Sequence, residues 1–330
     1  NKNGDKMIEK LKEMKKVELH LHLDGSVLIS SAYELLGKNI SIENLRKDMQ
    51  VNGKCRNLSE YLTKFDLPQS IMQTKENLLK ISYDLANSLK KDNVIYAEIR
   101  FAPQFHVKEN LTYDEVVEAV LEGLNRVDIK TNLILCLMRG KYNYEENLNT
   151  IKCAKRFLKK GVCAIDLAGD EASYSTKNYE KLFEIARKEK IPYTIHAGEA
   201  SGKDSIEAAI DMKTTRIGHG IRCIEDDNLV KKLKKENITL EICPISNIQT
   251  NAVLDIIHHP IYKLYKSGVR VTVNTDNRTV SNTNLYKEYE LLLNNFDFSI
   301  DDFVTMNKYA IAASFISDEE KEKLYKMLEE

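Results

Sequence analysis

The chain has 330 residues, enough for a sizeable core in one large domain or two. Its 49 lysines and arginines nearly balance 50 aspartates and glutamates; the formal charge of -1 argues against a nucleic-acid partner and for a small neutral one. No window approaches 18 consecutive apolar residues, and the lysine-rich segment 1–16 lacks the apolar stretch of a signal peptide, so no membrane partner is expected and the setting is read as cytoplasmic. The six cysteines are scattered without a Cys-x-x-Cys pair, which argues against a disulfide framework and a thiolate metal cluster.

Eight short aliphatic or β-branched runs follow one another: 17–23, 94–101, 131–138, 162–167, 193–196, 216–218, 239–243 and 269–275. Segments of helical periodicity separate most of them. Continuous apolar strands alternating with amphipathic helices predict a parallel sheet, and eight units in this length predict a single (β/α)8 barrel domain over 1–330. No Gly-x-Gly-x-x-Gly follows any run, so an open doubly wound nucleotide-binding sheet fits less well. Leu78, Ile81, Leu85 and Leu89 share one helical face, as do Val116, Val120 and Leu124, and both stripes read as core. Thr112 with Glu115, Asp204 with Glu207, and Ser317 with Glu320 have the spacing of capping boxes. The interval 25–93 is far longer than an ordinary β/α connection, which predicts extra helices, with candidates at 30–36 and 58–65, forming a lid over the barrel mouth.

In such a barrel the chemistry lies at the C-terminal ends of the strands. Four of the seven histidines fall there. Along 17–23, Val17, Leu19, Leu21 and Leu23 share one face, while His20 and His22 share the other with Asp24. Strand four runs into Asp166-Leu-Ala-Gly169-Asp170-Glu171, strand five into His196-Ala-Gly-Glu199, strand six into Gly218-His219-Gly220, and strand eight into Asn274-Thr-Asp276-Asn277. His106, His258 and His259 lie in a connection or at a helix start, where a surface position is the default. Three imidazoles and a carboxylate suit zinc with one position left for water, whose lowered pKa would serve a hydrolysis. Glu199 can act as a proton donor beside that water or merely orient a histidine. His219 can be an acid or base, a fourth ligand or a satisfied core group. Gly169 can end a strand or let a ligand approach the backbone.

These motifs, together with Cys243-Pro-Ile-Ser-Asn247, resemble in their order those of the adenosine deaminase family of metal-dependent amidohydrolases. The resemblance spans nearly the whole chain. It implies a (β/α)8 barrel that deaminates adenosine and 2′-deoxyadenosine, with one zinc ion per chain held by His20, His22, His196 and Asp276. His219 and Asp276 would orient and deprotonate the attacking water, and a protonated Glu199 would donate to purine N1. His22 would border the substrate, the Gly169 N–H would meet purine N3, and Asp24 would accept from a ribose hydroxyl. Glutamate at the position of Asp24 is usual in related adenine deaminases, so aspartate favours a nucleoside. The lysine that bridges two metals in other amidohydrolases has no counterpart at the end of strand four, hence the single ion.

One departure is Asn277, where many family members carry aspartate facing purine N7. N7 accepts, and an amide NH2 donates at any pH, so asparagine is chemically adequate. The alternative substrates on the same scaffold are adenine, an N6-alkylated nucleotide or a modified futalosine, and a phosphate would need basic residues at the mouth. A non-catalytic binding protein is disfavoured by the intact Glu199 and ligand set. The expected partner is a purine nucleoside, with no obligate protein partner.

Overall fold

In the computed structural model, which describes residues 2–37 and 39–330, the eight runs form parallel strands. They are β1 (Lys16–His22), β2 (Val94–Phe101), β3 (Lys130–Met138), β4 (Val162–Ala168), β5 (Ile195–Ala197), β6 (Arg216–His219), β7 (Thr239–Ile242) and β8 (Arg270–Val273). They pair as two four-stranded sheets, β1-β2-β3-β4 and β5-β6-β7-β8. Single bridges join the two sheets at both edges, Ile165 to Tyr193 and Leu21 to Asp276. At the second seam the His22 N–H donates to the Asp276 carbonyl at 2.8 Å, and the Asp276 N–H donates to the His20 carbonyl at 3.0 Å. The sheet is therefore a closed (β/α)8 barrel, and its closing bonds bring residues from opposite ends of the chain into contact.

The helical stripes bury as their spacing requires. Leu78, Ile81, Leu85 and Leu89 of helix Lys75–Lys91 are buried, and this helix packs on helix Tyr113–Asn125 through its own buried Val116, Val120 and Leu124. Each such side chain contributes about 1.5–3 kcal/mol by leaving water. Thr112 with Glu115 and Ser317 with Glu320 form reciprocal capping boxes. Asp204 does not cap: helix Lys203–Asp211 starts after Gly202, and the Asp204 carboxylate lies in the first turn, where the helix dipole favours it without a side-chain cap. A further capping box, Ser299 with Asp302, starts helix Ile300–Ala313.

Between β1 and β2 lie helices Ile29–Leu35, Ile42–Met49, Leu58–Leu62 and Asp66–Ile71, followed by Lys75–Lys91, which belongs to the outer ring against β2. Leu58, Tyr61, Leu62, Phe65, Asp66 and Gln69 from the shorter helices wall a pocket at the C-terminal mouth of the barrel. No helix among the described residues is long and apolar enough to cross a membrane.

Candidate active site

The empty space within the pocket, its open mouth included, is about 840 Å³. Its polar lining includes His22, Asp24, His196, Glu199, His219, Asp276 and Asn277, and its apolar lining includes Phe101, Phe105 and Met138. Barrel closure explains the convergence. Asp276 follows β8 and is stitched to β1 by the seam bonds, which sets its carboxylate beside both β1 histidines: Oδ1 is 3.1 Å from His20 Nε2 and 3.2 Å from His22 Nε2. Register brings in the next strands, with His196 of β5 opposite Gly218 of β6, and Ala197 opposite His219. A side chain at 218 would put its Cβ 2.9 Å from the His20 ring, so glycine makes room for that imidazole.

One ligand atom each from His20, His22, His196 and Asp276 lies within 4.8 Å of the others, so these four could hold a metal ion. A second set, His20, His219, Cys243 and Asp276, meets the same distance test. Its chemistry fits less well, because burial and the nearby Asp276 keep the Cys243 thiol protonated, whereas thiolate is the metal-binding form. Two of the three imidazoles of the first set are held from behind. His20 Nδ1 lies 2.8 Å from Glu241, and His196 Nδ1 lies 2.9 Å from Asp166. With an ion bound, these contacts would keep the imidazole protons on Nδ1 and leave Nε2 as the ligand atom.

Glu241 and Asp166 are in turn fixed by arginines inside the barrel. Arg100 donates to Asp166 at 3.0 Å and to Glu241 at 3.0 Å, and Arg216 donates to Glu241 at 2.7 Å and to Glu98 at 2.5 Å. All five charged groups are fully buried. Burial alone would raise the carboxyl pKa values, but Arg100 and Arg216 hold Glu241 well below the usual range, and His196 and Arg100 bring Asp166 down to about 2. Sequence reading missed Arg100, Arg216, Glu98 and Glu241; polar residues within otherwise apolar strands were the available signal.

Glu199 behaves in the opposite way. Burial, then the charges of Asp276 and Glu171, push its pKa well above that of an ordinary carboxyl. Its Oε2 has no hydrogen-bond partner, although His219 Nε2 approaches to 3.3 Å. The loop that carries it is tied down by Glu171, whose carboxylate accepts from the backbone N–H groups of Gly198, Glu199, Ala200 and Ser201 at 2.8–3.2 Å. Burial pushes His219 well below the ordinary histidine range. Asp276 stays ionised against the burial penalty because His20 and His22 bond to it, and Ser246 Oγ donates to its Oδ2 at 2.7 Å. His219 and Asp276 both have left-handed backbones, φ 68° and 65°, a strain of about 1–3 kcal/mol each in residues that are not glycine.

The family model for adenosine deaminase matches residues 15–330. The chain belongs to the adenosine deaminase family. It is 42% identical to an adenosine deaminase of Haemophilus ducreyi, covering 93% of this chain and 94% of the relative. It is 39% identical to one of Clostridium kluyveri, covering 96% and 93%. Among solved structures it resembles an Arabidopsis N6-mAMP deaminase (29% identity, TM-score 0.88, covering 97% and 99%) and an adenine deaminase of Arthrobacter aurescens (25%, 0.86, 96% and 98%). Membership of the adenosine deaminase family makes this a metal-dependent enzyme scaffold, with the His/Asp group above as the candidate metal centre.

The remaining expected residues line the same pocket. Gly169 follows β4 with φ 110°, a conformation that side-chain-bearing residues avoid. Asp24 accepts from Gln69 Nε2 at 2.9 Å, a bond from the covering helices. The Asn277 amide donates to the Tyr61 hydroxyl at 3.1 Å, and its Oδ1 is buried without a partner. This differs from the expected NH2 toward the ligand. Two of the histidines expected at the surface are also placed differently. His106 and His259 are buried, bonded respectively to the Met72 carbonyl at 3.1 Å and to Asn247 at 3.0 Å, because their connections fold under the covering helices and beside the site; His258 is exposed.

Proposed function

We propose that this chain hydrolyses adenosine and 2′-deoxyadenosine to inosine and 2′-deoxyinosine with release of ammonia, using one zinc ion held by His20, His22, His196 and Asp276. Three imidazole nitrogens and one carboxylate oxygen, with no thiolate, are a donor set that suits zinc and leaves a position open. When bound, such an ion supplies Lewis acidity that brings the pKa of water from 15.7 to about 7.

The protein groups account for the proton movements. Glu199, kept protonated by burial and its anionic neighbours, gives its proton to purine N1, which makes C6 electron-poor. His219 Nε2 and Asp276 Oδ2 flank one space, 3.8 Å apart, and orient the attacking water, with Asp276 as the acceptor of its proton. The water oxygen bonds to C6 and the C6–N6 bond breaks. Of the two protons that water brings, one leaves with ammonia and the other restores Glu199, while N1 keeps the proton that inosine carries. The single observation that carries this reading is the buried, partnerless Glu199 oxygen facing the candidate metal group across the pocket.

Substrate contacts follow the pocket wall. The Gly169 N–H would meet purine N3, and His22 would border the ring. Asp24 would accept from a ribose hydroxyl, with Gln69 holding its other oxygen. Asn277 would donate to N7 after its amide turns, which Tyr61 permits because a hydroxyl can donate as well as accept. No lysine or arginine lines the pocket among the described residues, while Asp24 and Asp66 do, which disfavours a 5′-phosphate. Six free cysteines, all buried, support the reducing cytoplasm as the setting.

The test is the fall in ultraviolet absorbance at the adenosine band when metal-loaded protein meets adenosine, deoxyadenosine, adenine and AMP separately. Turnover of the two nucleosides alone is expected. Turnover of adenine or AMP alone would overturn the substrate assignment while keeping the chemistry, and no turnover of any would overturn the proposal.

A further inference from the structure

A chain of three buried side chains runs away from the pocket behind His219, and one backbone donor determines the direction of every bond in it. The Ile261 N–H, which can only donate, bonds to His259 Nδ1 at 3.1 Å. That nitrogen is therefore unprotonated, and the His259 proton sits on Nε2. His259 Nε2 lies 3.0 Å from Asn247 Oδ1, the one amide atom that can accept from it. The Asn247 NH2 is thereby turned to His219, where Nδ2 lies 3.0 Å from Nδ1. Amide and imidazole orientations are ordinarily assigned from their surroundings, and here the surroundings begin at a peptide group that has no second orientation. Turning Asn247 over would set its NH2 against the His259 Nε2–H, and a proton on His219 Nδ1 would face the Asn247 NH2; each alternative puts two donors together in a site without bulk water.

We infer that Asn247 and His259 are positioning residues that fix the proton of His219 on Nε2, so that His219 serves the reaction as a hydrogen-bond donor to the attacking oxygen and Asp276 alone receives the proton. This rests on the reading of the pocket as a deaminase site. It also revises the part given to His219 by family resemblance, because an imidazole whose Nε2 already carries a proton cannot accept another there. The geometry on the pocket side agrees. Nε2 points toward Glu199 and Asp276, at 3.3 and 3.8 Å, without completing a hydrogen bond to Glu199, which leaves its N–H for an oxygen between them. All three members of the chain are at most 3% exposed. Burial brings His259 down to about 3, so it stays neutral at ordinary pH and does not break the sequence of donors and acceptors. The left-handed backbone of His219 gives the ring a reason to be held from behind.

The experiment is a long-range proton–nitrogen correlation spectrum of metal-loaded protein carrying 15N-labelled histidine, with the His219 signal assigned by its loss in His219→Gln. The expected signature is a pyrrole-like Nε2 and a pyridine-like Nδ1; the reverse would overturn the inference without any variant being needed. In Asn247→Asp the carboxylate accepts from both histidines, so the His219 proton should move to Nδ1 and kcat should fall about 100-fold, the scale of lost supporting contacts, with KM little changed. His259→Gln can accept from Ile261 and donate to Asn247, so it should keep the wild-type signature and most of kcat. An unchanged signature in Asn247→Asp, or loss of the wild-type signature in His259→Gln, would overturn the assigned chain. Failure to turn over adenosine would refute the deaminase reading but leave the wild-type spectrum decisive about the proton.

Discussion

The floor of the barrel and its mouth are equally buried and use polar groups in opposite ways. In the floor, every carboxylate oxygen of Glu98, Asp166 and Glu241 has a partner, and Arg100 and Arg216 lock the carboxylates together. One layer above, Glu199 Oε2 and Asn277 Oδ1 are just as dry and have none. A buried polar atom without a partner costs about 1–3 kcal/mol, a penalty that the floor's carboxylates avoid, Arg100 Nε being the unpartnered atom on that side. The difference separates support from contact: the paired carboxylates aim the histidines, and on the proposed reading the unpartnered Glu199 oxygen is left for a substrate atom.

Four substitutions would break or sharpen this contrast. The largest effect is expected from His20→Ala, which removes a nitrogen shared by both layers; bound metal by elemental analysis and deamination rate should be lost together. Next, Glu199→Gln belongs to the mouth alone, so activity should fall by roughly 10² to 10⁴ while metal content stays intact. Loss of metal in that variant would assign Glu199 to the ligands' support. Third, Glu241→Gln strikes the floor. It leaves Arg100 and Arg216 short of a counter-charge and loosens His20, so metal affinity measured by chelator competition should drop about 10- to 100-fold. The folded state should lose about 3–5 kcal/mol in denaturant unfolding, as expected when a buried ion pair is broken. Unchanged metal affinity would make the floor a packing element only.

The smallest effect concerns Glu288, a fully buried carboxyl outside both layers whose pKa burial raises from 4.5 to about 8. The folded chain then holds this proton more tightly than the unfolded one. Wild-type stability should decline as pH rises from about 4.5 to about 8 and level off above, whereas Glu288→Gln lacks that slope. Denaturant midpoints at pH 5 and pH 8 should show the variant gaining on the wild type. An equal gap at both would mean that Glu288 ionises normally in the folded chain.

Much of the site could be read before folding. His20 and His22 alternate with leucines, and His196, His219 and Asp276 end or follow apolar runs, so period and position alone marked them as strand-end groups. Arg100, Arg216 and Glu241 sit in the same kind of run without ending it. Their place within apolar strands is a local sign of burial, but nothing local names the partners, which for Arg100 lie 66 and 141 positions away. His259 shows the same limit: next to exposed His258 it looks like a surface residue, and only the packing of Asn247 against it shows that it is buried.

The sequence by itself determined the eight strands, the helical stripes, most of the capping boxes and the ligand candidates, because the periods of two and 3.6 and the chemistry of side chains are properties of a short stretch of backbone. Tertiary structure alone decided which groups would share a proton or a charge. The Asp276 carboxylate meets His20 and His22 because the final seam closes β8 onto β1, Glu241 stays ionised because two guanidiniums converge on it, and the orientation of Asn247 is set by one N–H at Ile261. Those outcomes depend on dielectric and donor geometry that exist only once distant segments have been brought within about 3 Å, the hydrogen-bond distance.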